Sequence, residues 1–294
     1  MPSYNARFLP SSCVPKSPIQ EHCVAHREQI TTIGRDKGQQ VRVERYTPDG
    51  LTLLDFALYT VIDVHDEEPE LVFVGYTDPE STHHDLRDRL GLSSIEPFIG
   101  KIKSEVTDDS EFIESLTDNS SHRGLIAIAP HGGAIERHTD EQAEHVRQHL
   151  GSKPIFVWLC KGFKQGRGAF DRWHITSTDI NEESFPKLKT VIGRGFEYAV
   201  AFHGFREDFI CIGGSASPEL KNEIKAAISE IPVFDIEVKT DDEGCPGAFN
   251  GNDPRNIVNR LGTNGIQIEQ SIEARTRFGC AIACAVADVI GRKI

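Results

Sequence analysis

The sequence predicts an α/β protein with a largely parallel sheet, preceded by a small β-rich subdomain. Three observations predict it. In the second half, continuous apolar runs ("LIAIA", "PIFVWLC", "YAVAF") alternate with helical patterns, as strands covered on both faces do. In the first half, "QVRVERY", "FALYTVIDV" and "ELVFVGY" are short, rich in β-branched and aromatic residues, and separated by turn chemistry such as "TPDG" and "DEEPE". The length, 294 residues, suffices for one large domain or two ordinary ones.

Residues 1–35 are rich in Pro, Ser and Cys and lack periodicity, so an irregular lead-in is expected there. The β-rich subdomain follows over residues 36–104, and the strand-and-helix domain over residues 105–294. "STHHDLRDRLG" reads as a short helix. "TDDSEFIESLTD" places Phe112, Ile113 and Leu116 at helical spacing. "LIAIA" is a buried strand, followed by a helix from Thr139 to Leu150 in which Thr139 and Gln142 make a capping box. "PIFVWLC" is the next strand. "SFPKLKTVIGRGF" reads as a helix ended by Gly195. After the strand "YAVAF", "PELKNEIKAAISEI" is an amphipathic helix opened by Pro218. "NGIQIE" is a strand, and "GCAIACAVADVIG" a helix apolar enough to lie against a sheet.

Composition excludes several function classes. No apolar run approaches the roughly 18 to 20 residues that cross a bilayer. The start, "MPSYNARFLPSSCVPKSPIQ", lacks the basic patch and apolar core of a signal peptide. A cytoplasmic location is expected, and with it seven cysteines present as reduced thiols, since no C-x-x-C occurs among them. A net charge of −13 makes nucleic acid and anionic membranes poor partners. One locally basic stretch, "KGFKQGR" with Lys161, Lys164 and Arg167, precedes Arg172.

Three strands run into groups of chemical interest. "LIAIA" leads to His131 and Glu136, "YAVAF" to His203, and "GIQI" to Glu269. Ligands of open α/β sheets sit outside the carboxyl ends of strands. Two His and two Glu delivered there are the residue types of a two-His, one-Glu zinc site with a general base. His131 and Glu136 are five apart with two glycines between, so they are a loop-borne pair, unlike ligands one helical turn apart. A His at a strand end is equally suited to a structural hydrogen bond.

An esterase is the main rival, because "HGGA" resembles an oxyanion loop. Its nucleophile elbow would be "GGSAS" at 213–217, which lacks the final glycine, and no histidine follows His203 to complete the triad. A Cys–His protease would use Cys160 or Cys211, which nothing distinguishes from buried thiols. "RWHITSTDINEESFP" alternates in strand fashion, with His174 and Thr176 on one face. It is either a substrate wall or an edge strand running into a helix capped by Asp179 or Asn181. In "NDPRNIVNRLG", Arg255 and Arg260 bracket Asn256 and Asn259, a set that can grip a carboxylate or simply start a solvated helix. His83, His84, His138, His145 and His149 lie in polar or helical surface segments.

Together "APHGGAIERHTDE", "RWHITSTDIN", "AVAFHGF", and "RNIVNR" with "NGIQIEQS" resemble the poly-γ-glutamate hydrolase family of phage and bacterial zinc peptidases. The resemblance covers about residues 105–294, which it makes the zinc hydrolase domain. It implies a mixed, mainly parallel sheet with helices on both faces, as in zinc carboxypeptidases. It also implies one Zn2+ per chain, held by His131, Glu136 and His203, with Glu269 as the catalytic carboxylate. Arg172, His174, Thr176 and Arg260 are the expected substrate contacts. The expected substrate is a small peptide or an acidic γ-linked peptide. Two alternatives are a short acyl-amino-acid amide and a zinc-containing binder that does not cut.

Overall fold

The computed structural model describes residues 3–11, 21–75, 89–92, 96–108, 110–118, 122–166 and 168–294. The chain forms two compact units: residues 1–108 with 164–185, and residues 109–163 with 186–294. Residues 81–88 of the helix expected in "STHHDLRDRLG", with His83 and His84 among them, lie outside the described residues, as does Arg167.

The first unit is a closed barrel. Its strands are β1 (Ser3–Ser11), β2 (His22–His26), β3 (Gln40–Tyr46), β4 (Leu53–His65), β5 (Leu71–Gly75) and β6 (Phe98–Lys103). They close in the order β1-β5-β2-β4-β3-β6. The pairs β1/β5 and β2/β4 are parallel and the others antiparallel. Period-2 alternation sends Ala6 and Phe8, Val41 and Val43, and Ala57, Tyr59 and Val61 into one core. The expectation of an irregular segment over residues 1–35 is therefore corrected. That segment supplies β1, β2 and α1 (Arg27–Thr32). β1 buries Ala6, Phe8 and Pro10, a short alternation, and its partners β5 and β6 come much later in the chain, so the segment does not stand out as a strand locally.

Residues 164–185 follow a strand of the second unit yet belong to the first. The strand expected around Ile175 is absent. "AFDRW" is instead a one-turn helix, α3 (Ala169–Trp173), and His174 is its extended cap. Asn181 does cap a turn: its side chain accepts from Glu183 N at 3.0 Å.

The second unit is a seven-stranded sheet. Its strands are β7 (Phe112–Thr117), β8 (Leu125–Gly133), β9 (Ile155–Gly162), β10 (Phe196–Gly204), β11 (Ile210–Gly213), β12 (Val238–Thr240) and β13 (Gly262–Gln270). The order is β12-β11-β13-β10-β8-β9-β7. The pairs β13/β10, β10/β8, β8/β9 and β11/β12 are parallel, whereas β11/β13 and β7/β9 are antiparallel. The sheet is thus mixed and mainly parallel. One face carries Leu125, Ala127, Val200, Phe202, Ile266 and Ile268. It is covered by α2 (Thr139–His149), α5 (Pro218–Ser229) and α7 (Ile272–Gly291). The opposite face carries Trp158 and Gly265 and meets α4 (Pro186–Lys189) and α6 (Ile257–Leu261).

Several local readings need correction here. The "TDDSEFIESLTD" helix is β7. The same apolar letters fit alternation, with Phe112 and the buried Glu114 facing inward. Glu114 accepts from Trp158 Nε1 at 2.9 Å and from the backbone N–H groups of Lys187 and Leu188 at 3.0 and 2.8 Å. The helix in "SFPKLKTVIGRGF" shrinks to the single turn of α4. Thr139 does not cap α2. The cap is His138, at φ 74°, and Thr139 Oγ1 donates to Glu136 O at 2.8 Å. The seven cysteines are not all free thiols, because Cys211 and Cys245 form a disulfide. These two are 34 residues apart in sequence, and only the pairing of β11 with β12 brings them together. Among the described residues no helix is long and apolar enough to cross a membrane.

Candidate active site

The site lies where β8, β10 and β13 end. β8 continues through Pro130, His131 and Gly132, but its register against β9 shifts between Ala129 and Gly132. That bulge re-aims the strand end. Gly133 then turns at φ 70°, and any Cβ there would come within 2.9 Å of Gly162 O and 3.0 Å of the Phe163 ring. Only glycine combines that backbone with that approach. The turn closes with Glu136 N donating to His131 O at 2.8 Å, so the two side chains return to one place.

On β10, His203 is the direct neighbour of Glu269 on β13. Neighbouring residues in register share a sheet face. Both are buried, as are His131 and Glu136. His131 Nδ1 lies 3.1 Å from Glu136 Oε1 and 3.1 Å from His203 Nδ1. His203 Nδ1 is 3.4 Å from Glu136 Oε2. Gly204 N donates to that same oxygen at 3.0 Å and fixes the carboxylate.

This donor set fits a zinc-type ion. Ligand atoms about 2.0 to 2.1 Å from a shared tetrahedral centre stand about 3.3 Å from one another. The two Nδ1 atoms, and the carboxylate oxygen nearest each, stand 3.1 to 3.4 Å apart, around that edge length, with His131 facing Oε1 of Glu136 and His203 facing Oε2. The charges agree. Burial raises the Glu136 carboxyl, but the His131 and His203 imidazoles overcome this and hold it well below the usual carboxylate range. Glu269 is pushed well above that range, first by burial and then by the negative charge of Glu136. Two neighbouring buried carboxyls driven apart in this way leave one ionised and the other able to carry a proton.

Sequence reasoning missed three contributors. Arg275 on α7 is buried, donates from Nη1 to Arg137 O at 2.7 Å, and is electrostatically coupled to Glu136 and Glu269. Gly204 leaves room for that guanidinium, which an added Cβ would overlap. Gln267 donates to Glu269 Oε1 at 3.0 Å. Its position two residues before Glu269 on a strand was the available signal. A cavity of about 550 Å³ opens beside Glu136, lined by the loops that follow β8, β10 and β13, including Arg137, Phe205, Arg206, Ser271 and Arg275.

The other expected residues lie as follows. Arg172, His174 and Thr176 belong to the first unit. There Arg172 pairs with Asp55 and stacks 4.0 Å from the Phe56 ring centroid. His174 pairs with Glu21, whose other oxygen accepts from Thr176 N at 2.7 Å and Thr176 Oγ1 at 3.0 Å. Lys164 pairs with Asp55 at 3.2 Å. Arg260 is half-buried in the last turn of α6 in the second unit. Arg255 is paired with Asp253, and Asn259 bonds Gly251 O and Asp253 O, so both tie the loop before α6. The serines of "GGSAS" are structural: Ser215 Oγ accepts from Gly265 N at 3.1 Å, and Ser217 caps α5.

The model of the family described as poly-gamma-glutamate hydrolase matches residues 101–285. Among solved structures, a bacteriophage poly-gamma-glutamate hydrolase is similar at 22% identity, over 64% of this chain and 91% of the other, with a TM-score of 0.51. That likeness is one of fold. A structure described as zinc-free YNDL is similar at 22% identity, over 63% of this chain and 90% of the other, with a TM-score of 0.47. A metallo-carboxypeptidase from Burkholderia cenocepacia is similar at 9% identity, over 69% and 74%, with a TM-score of 0.40. No curated protein matches. With the family's model spanning well over half of the sequence, this chain belongs to the poly-gamma-glutamate hydrolase family and is a hydrolase.

Proposed function

We propose that this hydrolase cleaves the amide bonds of γ-glutamyl peptides, with one zinc ion held by His131, Glu136 and His203 and with Glu269 as general base. The observation that carries this reading is the mutual approach, at 3.1 to 3.4 Å, of the buried His131 and His203 imidazoles and the Glu136 carboxylate, with a second buried carboxyl on the adjoining strand. When bound, the ion supplies Lewis acidity to the scissile carbonyl and brings the pKa of a water toward about 7. Glu269 takes the proton of the attacking water, whose oxygen adds to the carbonyl carbon. As the carbon–nitrogen bond breaks, Glu269 returns that proton to the leaving amine. Its raised proton affinity suits both tasks. Glu136, held ionised and oriented by Gly204 N, keeps the ligand charge.

Short γ-linked peptides are favoured over long polymer, because a chain of net charge −13 repels a polyanion at long range. Arg260, Arg172, His174 and Thr176 are proposed as contacts to substrate carboxylates. Arginine, histidine and threonine side chains all donate hydrogen bonds to carboxylates. Neither nucleic acid nor a membrane surface is proposed as a partner.

The test uses zinc-loaded protein and a series of γ-glutamyl-glutamate oligomers, with acyl amino acids as the alternative substrates, and assays new amines. Glu269→Gln should keep the metal and lose about 10²- to 10⁴-fold in kcat, the usual worth of a general base. Normal turnover in that variant refutes the base. Absence of turnover on every substrate by the unmodified protein favours a zinc-containing binder.

A further inference from the structure

We propose that Gln267 and Asn256 form an amide relay that fixes Glu269, and that both are positioning residues for the reaction; this rests on the reading of Glu269 as base. Gln267 and Glu269 are two residues apart on β13 and so share a face. Gln267 and Asn256 are each 4% exposed. Both N–H groups of the Gln267 amide and its oxygen are engaged. Nε2 donates to Glu269 Oε1 at 3.0 Å and to Phe249 O at 3.2 Å, and Oε1 accepts from Asn256 Nδ2 at 2.7 Å.

The orientation of both amides follows from one backbone group. Val258 N, at the start of α6, donates to Asn256 Oδ1 at 3.2 Å. A main-chain N–H can only donate, so Asn256 must turn Nδ2 toward Gln267. Gln267 must then answer with Oε1, which leaves its Nε2 for the carboxylate. Gly251 closes the space around this amide: a Cβ there would stand 2.8 Å from Gln267 Cβ and 3.0 Å from its Cδ. With Oε1 of Glu269 committed to an N–H donor, the relay assigns the proton transfer to Oε2. The donor is neutral, so it fixes the carboxylate without neutralising it, as a lysine at this position would.

Asn256→Asp tests this. A carboxylate still caps Val258 N but cannot donate to Gln267 Oε1, so the Gln267 amide is free to turn its oxygen toward Glu269. Measured on γ-glutamyl-glutamate, kcat should fall about 10- to 100-fold, as small misplacements of reacting groups do. KM, zinc content and melting temperature should stay near those of the unmodified protein. Gln267→Met, of similar shape, should show the same kcat loss. In 15N NMR spectra the Gln267 side-chain amide protons should be protected from exchange, and should lose that protection in Asn256→Asp. In a Glu269→Gln background neither substitution should lower the residual rate further. The relay is overturned if Asn256→Asp leaves kcat and amide protection unchanged, or if the loss is equally large without the Glu269 carboxylate. Full activity of Glu269→Gln alone would instead overturn the base reading.

Discussion

Glu21→Gln probes how the first unit holds the segment that carries Arg172, His174 and Thr176. Glu21 is buried and its carboxyl is lowered from 4.5 to about 2. Burial alone would raise it. The charge of His174 and a hydrogen bond from it, the charge of Arg89 and the Thr176 N–H together outweigh that. A carboxyl whose folded pKa lies below its unfolded value contributes stability above the unfolded value, lost as the pH falls through the folded one. The window here runs from 4.5 down to about 2. At about 1.4 kcal/mol per pH unit, the full contribution at pH 7 is about 3 kcal/mol. It should shrink to less than half of that at pH 3. Gln cannot ionise, so the stability difference between the two proteins isolates this contribution. Urea unfolding followed by Trp173 fluorescence, in a Trp158→Phe background, reports on the first unit. A gap below about 1 kcal/mol at pH 7, or one that does not narrow between pH 7 and pH 3, would refute the reasoning.

Three further outcomes follow from the same geometry. His203→Ala removes one of the two imidazoles of the proposed metal site, so metal analysis should find zinc well below one per chain and activity lost with it. Gly204→Ala forces a carbon into the Arg275 guanidinium and disturbs the N–H that fixes Glu136. Calorimetry should show about 1 to 3 kcal/mol of lost stability, and chelator competition a 10- to 100-fold weaker hold on zinc, roughly as for other ligand-orienting contacts. Paired Cys211→Ser and Cys245→Ser substitutions open a closure spanning 34 residues. They should cost about 4 kcal/mol by loop entropy, read as a lower denaturant midpoint that reducing agent lowers no further.

Much of the sheet was legible because its information is local. "LIAIA", "PIFVWLC", "YAVAF" and "NGIQIE" are continuous apolar runs and became β8, β9, β10 and β13. Pro218 opened its helix as expected, whereas the helix expected to run to Gly195 stopped at Lys189. Where two periods fit the same letters, as at Phe112 and Leu116, the choice depended on Trp158, Lys187 and Leu188, which lie far along the chain and surround Glu114. Reading residues 1–35 as irregular failed for the same reason, since β1 gains its hydrogen bonds from β5 and β6. The "RWHITSTDIN" segment looked like a strand but packs within the first unit through Glu21, Asp55 and Gln40.

By itself the sequence determined which residue types reach the ends of the strands: His131 and Glu136 around two glycines, His203 after "YAVAF", Glu269 after "GIQI". Alternation and glycine placement are properties of neighbours along the chain, so they can be read there. Only the tertiary structure decided that the two imidazoles and the Glu136 carboxylate approach one another at 3.1 to 3.4 Å, that Glu269 lies in register with His203, and that Cys211 meets Cys245. Such distances depend on strand order and register. Packing of the whole sheet sets both, and no segment of the chain specifies them alone.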